Sequence, residues 1–190
     1  MILPIRAYGD AVLRKVAKPI DATYPNLPEL IDNMFQTMYK ANGIGLAAPQ
    51  IGLDIRLFIA DLSPLAEDED YLDIRNKLKG FKKVFINARI ISESGEEWKF
   101  NEGCLSIPEV REDVKRHEEV TLEYFDEHFV KHTESFSDMR ARVIQHEYDH
   151  IEGILFTDKL SPLKKKIIKG KLTNITQGNI ETFYKMRFPK

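Results

Sequence analysis

Gln145-His146-Glu147-Tyr148-Asp149-His150 decides how this chain is read. In a helix, residues four apart share one face, so His146 and His150 can offer two nitrogens to a single metal ion. Glu147, one position after the first histidine, can then take a proton from a water that attacks an electrophilic carbon. The flanks predict a helix over about 138–152: Ser135-Phe136-Ser137-Asp138 fits a capping box, and Gly153 supplies a left-handed stop. Met139 and Val143 fall on the histidines' face, so the ligands project from an apolar stripe. Two histidines do not close a metal site. A third protein ligand is required, with a position left open for water and substrate.

The chain has one cysteine, Cys104, within Asn101-Glu102-Gly103-Cys104-Leu105-Ser106-Ile107-Pro108. No intrachain disulfide can form, which suits a reducing compartment. A lone cysteine is most often a small buried hydrophobe. Here Gly103 allows unusual backbone angles and close approach while Pro108 stiffens the exit, so the stretch reads as a constrained loop able to hold a thiolate toward an ion. A further stretch, Gly43-Ile44-Gly45-Leu46-Ala47-Ala48-Pro49-Gln50, follows a segment in which Leu27, Leu30, Ile31, Met34, Phe35 and Met38 recur at helical spacing. Asn26 is the expected cap of that helix and Gly43 its terminator. The 43–50 run lacks a GxGxxG order and a Walker lysine, so it reads as a wall for a substrate backbone rather than a phosphate loop.

Cys104, His146 and His150 together give one sulfur and two nitrogen donors and leave a fourth position free. Iron, zinc, cobalt and nickel all accept that set. Two other classes stay open. A zinc peptidase built on His-Glu-x-x-His would take a downstream His or Glu as its third ligand, and a noncatalytic metal-binding protein would saturate its ion with protein ligands.

The expected fold is α+β, a single domain over 1–190 with antiparallel strands packed around a central metal-binding helix. Strand-like runs lie at 55–60, 84–91, 120–125 and 130–136. Residues 63–82, with four consecutive acids at 67–70 and Gly80, read as a surface insertion. The tail, 174–190, is rich in aromatic and β-branched residues from Ile180 to Phe188 and reads as an added strand, whose loss is expected to cost stability rather than turnover. His117, His128 and His132 have no partner at ligand spacing and read as structural or solvated. A formal charge of −2 gives no reason to invoke nucleic acid, and the absence of a long apolar run at 1–11 or elsewhere argues against a signal peptide and a membrane span, hence for the cytoplasm. Lys164, Lys165, Lys166, Lys169 and Lys171 form a basic run, read either as a solvated helix face or as a transient docking surface on the ribosome.

The motifs at 43–50, 102–106 and 145–150, in this order, resemble the three motifs of the peptide deformylase family. The similarity extends to Tyr8-Gly9-Asp10 with Val12-Leu13-Arg14, and to Leu160-Ser161-Pro162-Leu163, and so covers most of 1–163. It implies ferrous iron at Cys104, His146 and His150, with zinc, nickel or cobalt able to substitute. Glu147 is the implied general base, and the Gln50 side-chain amide with the Leu105 backbone N–H the implied oxyanion donors. The implied substrate is an N-formyl-methionyl nascent peptide, cleaved to formate and a free amino terminus. Gly43 and Gly45 belong to the implied substrate wall, with Gly45 cramping the site against acyl groups larger than formyl. Ile44, Phe100, Met139, Val143 and the His146 ring line the implied methionine pocket. Arg142 is expected at its rim, its stem over the methionine and its head in water.

Overall fold

Leu27 to Lys40 forms a helix because its apolar residues recur every three to four positions, and Leu27, Ile31, Met34, Phe35 and Met38 are all buried. Asn26 precedes it in a left-handed conformation, φ 53°, without a side-chain cap. At the other end the left-handed residue is Asn42, φ 56°, while Gly43 N–H closes the end by donating to Met38 O at 2.9 Å. The expected glycine terminator is thus an asparagine, whose short polar side chain also tolerates that region.

The computed structural model describes residues 1–189. The strands are β1 (Ile5–Arg6), β2 (Gly45–Ala47), β3 (Leu57–Asp61), β4 (Lys82–Cys104), β5 (Ile107–Phe125), β6 (Lys131–Ser137) and β7 (Met186–Arg187). The helices are α1 (Leu27–Lys40), α2 (Arg75–Leu78), α3 (Asp138–Ile151) and α4 (Pro162–Gln177). Strands β2 to β6 form one antiparallel sheet in chain order, and β1 pairs with β7 in parallel, apart from it. The result is a mixed α and β domain with an antiparallel sheet.

Two strands run far beyond the expected 84–91 and 120–125. β4 and β5 make a long hairpin paired from Ile86↔Phe125 to Cys104↔Ile107, with register shifts that break the alternation. Those shifts, and the charged outer face around Glu93 to Glu97, hide the strand period from a sequence reading. The consequence for Cys104 is direct: it does not sit in a loop but ends a strand, and only Leu105 and Ser106 separate it from β5.

Helix α3 packs against β2, β3, β5 and β6. Its start differs from the expected capping box. Ser135 lies in β6 with its hydroxyl 2.8 Å from that of Thr121, and Asp138, at φ 57°, accepts from Arg140 N–H at 3.2 Å. Its stop is as expected, Gly153 at φ 72°. An added Cβ there would lie 2.7 Å from Arg14 O.

Residues 63–82 fold as short 3₁₀ turns and α2, mostly exposed, with Ala66, Leu78 and Phe81 tucked into the core beside the sheet. Residues 174–177 of the tail are not strand. They complete α4, which Gly178 ends at φ 73°, and among the described residues of the tail only Met186–Arg187 pair, with β1. Lys190 lies outside the described residues. No helix among the described residues is long and apolar enough to cross a membrane.

Candidate functional site

Helix α3 presents His146 and His150 on one face, their ring centroids 5.2 Å apart, and the tip of the β4–β5 hairpin brings Cys104 to them. One ligand atom from each of the three lies within 4.8 Å of the others, and Cys104 Sγ is 3.3 Å from His150 Nε2. Phe156 stacks on the His146 ring at 6.2 Å between centroids.

Behind the histidine lies a buried charge network. Glu102 Oε2 is 2.9 Å from His146 Nδ1, which turns the ring so that its other nitrogen faces Cys104's side. The same carboxylate accepts from Arg116 Nε at 2.7 Å and from Arg142 at 2.8 Å, and Arg116 also donates to Asp149 at 2.6 Å. Burial opposes the charge on Glu102, yet these donors hold its carboxyl well below the usual carboxylate range. Sequence reasoning missed Glu102 and Arg116. For Glu102 a signal exists, since residues two apart on a strand share a face and Glu102 precedes Cys104 by two. Arg116 stands among other charges in β5 and has none.

The two imidazoles lie in opposite electrostatic settings. Burial disfavours a charged His146, but hydrogen bonding to Cys104 and Glu102 outweighs it and lifts the imidazole to about 10. Burial drives His150 well below its ordinary value, keeping it a neutral donor. Burial also lifts Glu147 to about 7, and its Oε2 is buried without a hydrogen-bond partner among the described residues. A carboxyl so placed is matched to accepting and returning a proton near neutrality.

Gln50 and Gly45 complete the surroundings. Gln50 Oε1 accepts from Ala47 N–H at 2.8 Å, which aims its amide nitrogen at the hairpin tip, 3.5 Å from Cys104 Sγ and 3.4 Å from Ser106 Oγ. An added Cβ at Gly45 would fall 2.4 Å from Glu147 Oε1, so the Glu147 carboxyl lies directly on the Gly45 backbone. At Gly43 it would meet Leu105 Cδ1 at 2.8 Å.

One cavity of about 690 Å³ opens onto the site. Gly43, Ile44, Gly45, Gln50, Phe100, Cys104, Leu105, Met139, Arg142, Val143, His146 and Glu147 line it, so the structure brings together the residues singled out from sequence, with His150 buried beneath. Arg142 departs from expectation. It is 2% exposed, and its head is not in water but donates to Glu102, to Val114 O at 3.1 Å and to Trp98 O at 2.7 Å, with the guanidinium 4.3 Å over the Trp98 ring. A fully buried guanidinium needs such partners, and Glu102 supplies the countercharge. The tail also departs: Glu181 to Tyr184 line the cavity, and Tyr184 hydroxyl donates to Leu105 O at 2.8 Å. His117, His128 and His132 lie away from it; His132 Nε2 instead contacts Asp126 at 2.7 Å.

The polypeptide deformylase family model matches residues 2–166. The chain belongs to this family. Among curated relatives, the peptide deformylase of Christiangramia forsetii is 64% identical over 190 residues, spanning all of this chain and 97% of that one. That of Flavobacterium johnsoniae is 61% identical, spanning 99% and 96%. Among solved structures, a peptide deformylase from Legionella pneumophila aligns with a TM-score of 0.80 at 36% identity, over 96% of this chain and 99% of that one. The Thermotoga maritima peptide deformylase aligns at 0.72 and 34%, over 85% and 99%. As a deformylase, the chain is a metal-dependent hydrolase that removes the formyl group from the N-terminal formyl-methionine of nascent polypeptides.

Proposed function

We propose that Cys104, His146 and His150 hold one ferrous ion, replaceable by Zn²⁺, Ni²⁺ or Co²⁺, and that Glu147 moves the proton in deformylation. The observation that carries this is the convergence of one thiol and two imidazoles within 4.8 Å beside a buried, unpartnered carboxyl oxygen. One sulfur and two nitrogens suit a borderline divalent ion and leave a coordination position open. When bound, the ion supplies a Lewis acid that polarises the formyl oxygen and acidifies water.

The rest falls to side chains of this protein. Glu147 accepts the proton of the attacking water and returns it to the leaving nitrogen, which frees the amino terminus. Oxyanion charge develops at the former formyl oxygen, where the Gln50 amide and the Leu105 N–H are the prepositioned donors. Gly45 keeps the space above Glu147 small, so a formyl group enters and an acetyl group does not. Ile44, Phe100, Met139, Val143 and the His146 ring receive the methionine side chain, all of them on the cavity. Arg142 supports that pocket from behind, by stacking on Trp98, rather than at its rim.

The enzyme acts in the cytoplasm, where formylated chains emerge, and engages neither a membrane nor a specific nucleic acid. The lysines of α4 flank the exposed Leu163 and Ile167, a surface suited to transient contact with the ribosome.

The test is formate release from formyl-Met-Ala-Ser by the ferrous protein, set beside an N-blocked peptide with an internal bond as the only target. Formate release with the internal bond intact is expected. Internal cleavage without formate would favour a zinc peptidase instead. A second expectation concerns Gly45→Ala, whose methyl must displace the Glu147 carboxyl. Misplacing a reacting group by about 1 Å costs ~10²-fold, so kcat should fall by that order while the melting curve stays near wild type. An unchanged kcat would show that Glu147 has room to move.

A further inference from the structure

The tip of the β4–β5 hairpin is held from both ends of the chain. Ile5 N–H donates to Lys185 O at 2.9 Å and Ala7 N–H to Arg187 O at 3.0 Å, so the N-terminal segment fixes the tail. One residue on, Tyr8 N–H donates to Ser106 O at 2.8 Å, and from the tail Tyr184 hydroxyl donates to Leu105 O, also at 2.8 Å. Both carbonyls of the turn that follows Cys104 are therefore fastened by this paired clasp. Burial, reinforced by the neighbouring Cys104, raises the Tyr184 phenol, which stays a donor. The adjacent residue is more exposed. Phe183 is 66% exposed, stands edge-on to Tyr184 with centroids 5.1 Å apart, and borders the cavity that holds Cys104 and Glu147.

We infer that the C-terminal segment is part of the active site: Tyr184 is a positioning residue that holds the Leu105 turn, and Phe183 is a contact for the substrate chain beyond its formyl-methionine. The inference rests on the deformylase reading of the cavity. A nascent peptide continues past its first residue, and an exposed phenyl ring continuous with the methionine pocket gains by being covered by that extension. The turn, in turn, carries the Leu105 N–H assigned to the oxyanion, and a donor displaced by a fraction of an ångström loses its advantage in the transition state more than in the ground state.

The experiment compares Tyr184→Phe and Phe183→Ala with wild type, all iron-loaded, on formyl-Met and formyl-Met-Ala-Ser, together with metal content, melting temperature and calorimetric binding of the product Met-Ala-Ser. Loss of one hydrogen bond predicts that Tyr184→Phe lowers kcat ~3- to 10-fold on both substrates with KM and metal content unchanged. Loss of the apolar surface that the substrate chain would cover predicts that Phe183→Ala raises KM for formyl-Met-Ala-Ser, and Kd for Met-Ala-Ser, ~3- to 10-fold while formyl-Met is processed as before. Wild-type kcat in Tyr184→Phe, or an equal effect of Phe183→Ala on both substrates, would overturn the inference. Should Tyr184→Phe fail to fold, Phe183→Ala decides alone, since its side chain is exposed. Absence of formate release by wild type would instead remove the deformylase reading on which the inference stands.

Discussion

Glu147→Gln is expected to keep its metal and its fold and to lose nearly all turnover. The amide preserves size and hydrogen bonding but accepts no proton at neutral pH. General acid–base roles are worth ~10²- to 10⁴-fold, and a group that acts both in attack and in departure belongs at the upper end. The loss should appear in kcat, because the proton moves only in the chemical step. Two other roles for this residue make different predictions. A ligand would take the ion with it when replaced, and a stabilising ion pair would lower the melting temperature. The geometry speaks against the second, since Glu147 has no salt-bridge partner among the described residues and one oxygen with no hydrogen bond. Metal content, thermal stability and formate release from formyl-Met-Ala-Ser, measured on one preparation, separate the three. Near-normal formate release with metal bound would end the proton-carrier assignment.

Glu102→Gln is expected to be the most destabilising conservative change at the site. The carboxylate is 4% exposed and faces Arg116, Arg142 and His146 at once. Removing one member of a buried charge network leaves its partners desolvated and uncompensated, at a cost of about 3–5 kcal/mol. In a chain of this size each kcal/mol moves the melting temperature by ~2–4 °C, so a drop of roughly 6–20 °C follows. Asp149 retains half of Arg116's pairing and keeps the loss finite. The same change takes the carboxylate from behind His146 Nδ1 and leaves one amide oxygen to be shared with the two arginines, and weakening such a supporting hydrogen bond lowers metal affinity by ~10- to 100-fold. Calorimetric melting and a competition titration with a chelator read the two effects separately. A variant that melts with wild type and holds its metal equally well would show the network to be ornamental.

The parts of this site that were legible in the sequence are those whose chemistry is written in adjacent residues. His146, Glu147 and His150 are related by helix geometry alone, and Cys104 is the one thiol the chain contains. The unreadable parts depend on long-range pairing. Arg116 reaches Glu102 across the hairpin, and Tyr184 reaches Leu105 over 79 positions. Neither relation has a local period. Arg142 misled for a related reason: an arginine next to an apolar pocket ordinarily keeps its head in water, and only the carboxylate brought by another strand makes full burial tolerable. The hairpin itself escaped recognition beyond its inner ends because bulges reset the alternation and charges occupy both faces of its outer half. The composition of the tail reads as strand, but Ser161 and Pro162 start a helix that runs through 177 before the chain turns extended.

In the proposed site, one thiolate and two imidazoles of this chain bind the ion beside Glu147. X-ray absorption on anaerobically purified protein, with metal analysis of the same sample, tests it most directly. One iron per chain is expected, with one sulfur neighbour at ~2.3 Å, two imidazole nitrogens near ~2.1 Å and the sulfur lost in Cys104→Asp. A stoichiometric ion with no sulfur neighbour, or one whose coordination is unchanged in Cys104→Asp, would contradict the account.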